Sequence, residues 1–287
     1  MLVNGGHVVT GLTRSRDKAD QLRRMGADGV VADALERSAV LTAVHEARPD
    51  AVIHQLTAIP AKVDPRRLAE DFALTNRLRT EGTNYLLEAA RAAGARRFIA
   101  QSFGGYMWAR EPGPPMREEE ERDPESITGV VEAIAYVERV VPEAGGVVLR
   151  YGAFYGPGTS LGEGGATVAQ IRAREFPIVG KGAGVWSFVH VEDAASAAVA
   201  ALERGAPGIY NVADDEPAAV AEWLPYLAEV LGAKAPRRVP EWVARLAAGA
   251  NVMAVTRARG ISNAKAKREL GWTPVWASWR EGFRRAL

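Results

Sequence analysis

A chain of 287 residues with 47% hydrophobic content can bury a large core, which excludes a disordered polypeptide and fits one large domain or a domain with a smaller lobe. A formal net charge of +1 with 25% charged residues gives no electrostatic ground for nucleic acid or an anionic membrane as partner. The chain has no cysteine, which excludes disulfides, thiolate metal sites and cysteine nucleophiles. No apolar run approaches the roughly 20 residues of a membrane helix, and the first residues lack the order of a secretory signal, so a cytoplasmic location is expected.

Met1 to His7 reads as the end of a helix stopped by Gly5-Gly6, followed by a short strand from Val8 to Leu12 and a basic turn, Thr13-Arg14-Ser15-Arg16. Asp17 to Met25 has helix-forming composition, Val30-Val31-Ala32 is a second strand, and Ser38 to Ala47 a second helix. Pro49-Asp50 opens a strand over Ala51 to Leu56 whose continuous apolar start implies burial on both faces. Leu78, Gly82, Leu86, Ala89 and Ala93 recur at helical spacing, which predicts one amphipathic helix from Leu68 to Ala93, closed by Gly94. Arg97 to Ala100 is the next strand, and Glu111 to Ser126, with Pro112, Pro114, Pro115 and an acid run, is a solvated loop. Val130, Ile134, Val137 and Val141 mark another helix face, Val147 to Arg150 a strand, and glycine-rich turns follow. A strand through Phe188 and Val189, a helix from Ala194 to Leu202, a strand from Gly208 to Val212 and a mainly helical end complete the pattern. Alternating strands and helices predict an α/β fold, a doubly wound parallel Rossmann-type sheet covered on both faces.

Four stretches in this order, Val52 to Ala58, Leu149 to Gly158, Phe188 to Ala194, and Tyr210-Asn211-Val212 with the late Leu270-Gly271-Trp272-Thr273-Pro274, resemble the extended short-chain dehydrogenase/reductases of the NAD-dependent epimerase/dehydratase group. The resemblance runs from Leu2 to about Gly282. It implies a dinucleotide-binding core at residues 1–155 and 185–212, and a smaller, mainly helical substrate lobe interleaved at 156–184 and 213–287. It also implies a first strand and a Gly-x-x-Gly-x-x-Gly loop ahead of Leu2. Their absence reads as a start placed too late, or as a chain with a gap or a borrowed strand at the sheet centre.

Carried over by position, the resemblance implies that Arg14 faces the adenosine ribose, where a guanidinium suits a 2′-phosphate, so NADP is favoured over NAD. Asp33 is expected beside the adenine, and Gln55, Leu56 and Thr57 beside the pyrophosphate and ribose, with Asn76 pinning their loop. Ser102 occupies the place of the family's active-site serine, Tyr106 matches a tyrosine bordering the substrate, and His190 a structural histidine. Four histidines, none at ligand spacing, point to no metal site. The helices at 68–93 and 130–141 resemble those of the family's dimer interface, so a homodimer is expected.

The departures matter as much. The family's Tyr-x-x-x-Lys pair, which exchanges a proton with the substrate oxygen, is replaced by Val130 and Ile134. No tyrosine anywhere is followed four residues later by lysine. Two readings stand: hydride chemistry with another proton donor, from Tyr106, Tyr151 or Tyr155, or a dinucleotide-binding regulatory or non-redox protein of the same fold. Trp186 replaces the arginine that meets a sugar-nucleotide diphosphate, which with Tyr155 favours a small apolar or aromatic substrate.

Overall fold

The computed structural model describes residues 1–60, 63–64, 67–106, 113–121, 129–248, 252 and 256–287. The chain opens on a 3-10 turn, Val3–Gly5, ended by Gly6 in the left-handed conformation at φ 82°. The first strand lies two residues later than the pattern predicts: β1 is Thr10–Thr13, and Val8, expected inside it, is 93% exposed. Ser15 caps helix α1 (Arg16–Arg24) by accepting from the Lys18 amide, and β2 (Asp28–Val31) pairs parallel with β1. At Gly29 a Cβ would lie 2.3 Å from the Ala19 carbonyl oxygen, so only glycine lets α1 pack this closely on β2.

Helix α2 (Arg37–Ala47) leads to β3 (Ala51–His54). The predicted single helix over 68–93 is divided into α3 (Leu68–Asp71), α4 (Ala73–Arg77), a π turn at Leu78–Gly82 and α5 (Thr83–Ala92). A π turn inserts a residue into the helical ladder and rotates the faces on either side of it, which hydrophobic spacing alone does not reveal. Strand β4 (Arg97–Phe103), α6 (Gly129–Glu143), β5 (Val147–Tyr151) and β6 (Ala153–Tyr155) follow. Next come α7 (Ala166–Arg172), β7 (Ile178–Val179), β8 (Val185–Trp186), β9 (Phe188–His190), α8 (Val191–Glu203) and β10 (Gly208–Val212). The chain closes with β11 (Ala218–Ala219), α9 (Val220–Val230), β12 (Arg238–Val239), α10 (Glu241–Ala248), a π turn at Ala266–Leu270, and α11 (Trp279–Ala286).

Strands β10, β5, β4 and β3 form, in that order, a four-stranded parallel sheet, with helices on both faces. Among the described residues β1 and β2 bond only to each other, so they stand apart from the four-stranded sheet with no ladder between β1 and β3. One apolar cluster nevertheless spans both, from Leu12 and Val40 through Val52 and Leu86 to Phe98, Val141 and Val148. On the opposite face Ile99, Leu149 and Val212 pack on Ala194, Ala197 and Ala201 of α8, where small side chains bring the helix axis close to the strands. The Asp193 carboxylate accepts the Val275 and Trp276 amides at 2.9 Å each, which fastens the Leu270–Pro274 segment to the start of α8. Phe188, Trp223, Trp279 and Phe283 build a second apolar cluster, while β7 pairs with β12 and β8 with β11.

Candidate functional site

In a parallel sheet, ligands gather at the carboxyl ends of the strands. Every strand-end residue singled out from the sequence lies on that edge: Arg14 after β1, Asp33 after β2, Gln55 to Thr57 after β3, Ser102 near the end of β4, and Tyr151 closing β5. Arg14, Gln55 and Thr57 are exposed, as a contact to a large polar ligand requires. The Asp33 carboxylate is already engaged in part, accepting the Leu35 amide at 2.9 Å.

The loop after β3 is pinned from beneath. The Ala58 amide donates to the Thr75 hydroxyl at 3.0 Å, whereas Asn76, the expected pin, donates its side-chain amide to the Gly129 carbonyl at 3.2 Å. A one-residue shift along α4 turns the side chain by roughly 100°, so the buried Thr75 meets the loop and Asn76 meets α6.

Ser102, Arg150 and Asn211 are direct register partners on adjacent strands, so all three side chains project from one face of the sheet. Glu138 reaches down to them from α6. Its carboxylate accepts two bonds from Arg150, Nε at 2.9 Å and Nη2 at 2.8 Å, and a third from the Ser102 hydroxyl at 2.5 Å. Arg150 Nη1 extends the chain to the Asn211 side chain at 3.2 Å. A carboxylate held by a guanidinium only accepts, so the Ser102 proton is committed to Glu138, and Ser102 itself is 2% exposed. The Glu138–Arg150 pair did not emerge as a site from the sequence. Its signal was present, since Val130, Ile134 and Glu138 repeat every four residues on one helix face.

Val130 and Ile134, at the positions where tyrosine and lysine were expected, are 2% and 1% exposed and pack with Phe72 and Phe103. Phe103 in turn walls a cavity of about 220 Å³, completed by Gly104, Gly105, Gly152, Trp186 and Ala258 among others. The one hydroxyl among its lining residues, that of Ser187, donates to the Ile261 carbonyl at 3.3 Å and accepts the Ile261 amide at 2.9 Å. Its lining residues are therefore small, apolar or aromatic, and none of them titrates near neutral pH. Trp186 packs tilted on Trp223 with ring centroids 5.1 Å apart, which holds its ring at the edge of both the cavity and the second apolar cluster.

The tyrosines take different places. The Tyr151 hydroxyl receives the Gln55 side-chain amide at 3.5 Å and donates to the Ala194 carbonyl at 3.4 Å, and burial pushes its pKa upward. A raised pKa makes it a weaker acid. Tyr155 is fully buried in the second apolar cluster, edge-on to His190 and Phe283, rather than lining the cavity; burial raises its pKa as well. The side chain of Tyr106 lies outside the described residues. His190 caps α8 by accepting the Glu192 amide through Nδ1, and burial lowers its pKa. Asp214, not singled out from the sequence, is buried with one carboxylate oxygen lacking a partner among the described residues, and burial pushes its pKa up to about 8.

The strand-end set fits a nicotinamide dinucleotide: exposed cationic side chains at the β1 turn, exposed polar groups after β3, and an apolar cavity beyond β4 and β5. The sequence profile of the NAD dependent epimerase/dehydratase family matches residues 1–213. A 3-diazoavenalumate denitrifying reductase from a Streptomyces species is 47% identical over 290 residues, covering 98% of this chain and 92% of the relative. UDP-glucose 4-epimerase of Thermus thermophilus, solved with NAD, superposes with a TM-score of 0.74 at 27% identity, over 99% of this chain and 91% of that one. The UDP-glucose 4-epimerase of Thermotoga maritima gives a TM-score of 0.78 at 23% identity, with 99% and 91% coverage. The chain is an NAD(P)-dependent oxidoreductase and belongs to the NAD-dependent epimerase/dehydratase family.

Proposed function

We propose that this protein replaces a diazo group on an aromatic ring by hydrogen, with loss of dinitrogen. The observation that carries this reading is the treatment of the proton-donor positions. Val130 and Ile134 are apolar and buried, and the Ser102 hydroxyl is committed to Glu138, so among the described residues none that lines the cavity is free to polarise and protonate a carbonyl oxygen. Displacement of dinitrogen from an arenediazonium ion has no need of such a group. When bound, a reduced nicotinamide dinucleotide supplies the hydride. The new C–H bond takes the hydride pair, the C–N bond breaks with its pair going to dinitrogen, the ring carbon is reduced and the dinucleotide oxidised, and no proton is taken up or released. The likeness to the denitrifying reductase supports the same chemistry.

The residues of the chain then bind and shield. Trp186 and Phe103 offer ring faces to a flat substrate, the glycines and alanines of the cavity leave room for it, and their apolar surface keeps water from competing with hydride. Arg14 supports NADP, since an exposed guanidinium after β1 suits a 2′-phosphate. The groove between α5 and α6, where Leu87, Val140 and Ala144 stand among Asn84, Glu88, Arg91 and Glu143, supports a homodimer.

The experiment is to supply the protein with NADPH deuterated at the transferable position and an arenediazonium salt, and to analyse the arene by mass spectrometry. Deuterium at the carbon that carried nitrogen, with Ser102→Ala retaining activity within about twofold, is the expected result. Hydrogen drawn from solvent at that carbon would refute the mechanism.

A further inference from the structure

Beneath the turn that carries Gln55 and Thr57 lies a histidine to which no role has been assigned. His54 ends β3, is buried, and makes a contact through each ring nitrogen. Its Nε2 lies 3.1 Å from the Thr83 hydroxyl oxygen, and its Nδ1 accepts the Leu56 amide at 3.4 Å. Thr83 reports the tautomer, with the Leu78 carbonyl a second acceptor for the ring. The single hydroxyl proton of Thr83 goes to the Arg79 carbonyl at 2.6 Å, one turn back in the same helical run, so toward His54 the oxygen can only accept. Nε2 must then carry the proton, which leaves Nδ1 bare to receive an N–H, the contact observed with Leu56. Desolvation by burial also lowers the His54 pKa, to about 4, which keeps the ring neutral.

Two residues further on, the Ala58 amide is held by the hydroxyl of the buried Thr75. The amides of Leu56 and Ala58 are thus tied down from the protein side, while Gln55 and Thr57, the residues flanking Leu56, are exposed. Ordering such a turn before a ligand arrives removes an entropic cost from binding.

We propose that His54 is a positioning residue for the dinucleotide: as the Nε2–H tautomer that faces Thr83, it grips the Leu56 amide through Nδ1 and so sets the turn that presents Gln55 and Thr57. The proposal rests on the reading of that turn as a dinucleotide contact. The two ring nitrogens can be separated by substitution. In His54→Asn the side-chain oxygen takes the place of Nδ1 and keeps the Leu56 bond while losing Thr83. In His54→Gln the amide reaches toward Thr83 and loses Leu56.

Two readouts apply to the full chain: hydrogen exchange at the Leu56 amide, and NADPH and NADH affinity by titration. His54→Gln should speed Leu56 exchange and weaken dinucleotide binding by about fivefold to tenfold, while His54→Asn stays within about twofold on both. Thr83→Val, nearly isosteric, removes one of the two acceptors that face the ring, the Leu78 carbonyl being the other, and should speed Leu56 exchange less than His54→Gln does. A merely structural role predicts the two His54 variants to behave alike, and equal exchange rates in them would overturn the lock. If the wild-type chain binds no dinucleotide, the reading of the turn fails and with it the ligand in this proposal. The exchange contrast still decides the lock itself.

Discussion

Asp214→Asn should stabilise the protein by an amount that grows with pH. Asp214 is 2% exposed, one of its carboxylate oxygens has no partner among the described residues, and the carboxylates of Glu216 and Asp215 add to the penalty of ionising it. Burial is the largest cause, and together these raise its pKa from 3.8 to about 8. In the unfolded chain the same group is ionised above pH 4. Between the two values the folded state holds a proton that the unfolded state has released, so stability falls as pH rises through this window and levels off above pH 8. At about 1.4 kcal/mol per pH unit, the whole window is worth roughly 6 kcal/mol, and the span from pH 5 to pH 8 roughly 4 kcal/mol. Asparagine has the same shape and no charge to lose. Urea unfolding of both proteins at pH 5.5, 6.5, 7.5 and 8.5 measures the difference directly. The expected result is a gap between variant and wild type that widens steadily toward pH 8. A gap independent of pH would show that Asp214 is already ionised in the folded protein and would refute the argument.

Other substitutions test neighbouring parts of the structure. Tyr155→Phe removes a buried hydroxyl that has no partner among the described residues and should raise stability by about 1 kcal/mol, seen as a higher melting temperature with turnover unchanged. Glu138→Ala leaves the Arg150 guanidinium buried without its carboxylate and should cost about 3–5 kcal/mol in denaturant unfolding; a loss under 1 kcal/mol would mean that solvent reaches the pair. Arg14→Ala should weaken NADPH binding about tenfold and leave NADH unchanged, and equal losses for both would remove Arg14 from the 2′-phosphate.

Much of the fold was legible because its signals are local. The apolar run from Ala51, the glycine stops and the valine face of α6 each specify an element whatever surrounds it, and their alternation specifies a parallel sheet. The loss of Tyr-x-x-x-Lys was equally plain, since a fixed spacing on one helix either holds those side chains or does not. The π turn at Leu78–Gly82 was not legible, because it is chosen by packing of Leu78 and Gly82 against neighbours distant in sequence. Nor was the placing of Tyr151 and Tyr155. They stand four residues apart, Tyr151 closing β5 and Tyr155 closing β6, yet one reaches Gln55 and Ala194 at the strand edge and the other is sealed behind Phe283 and His190.

The sequence by itself determined the family, the order of strands and helices, and the absence of the usual proton donor, because each depends on residue type at short, fixed spacing. Only the tertiary structure decided what the remaining polar groups do. Ser102 could serve a substrate or a neighbour, and it is Glu138, thirty-six residues away and folded onto it by α6, that takes its proton. A hydrogen bond is settled by which partner arrives at 3 Å, and that is fixed by the packing of whole elements rather than by the residues on either side.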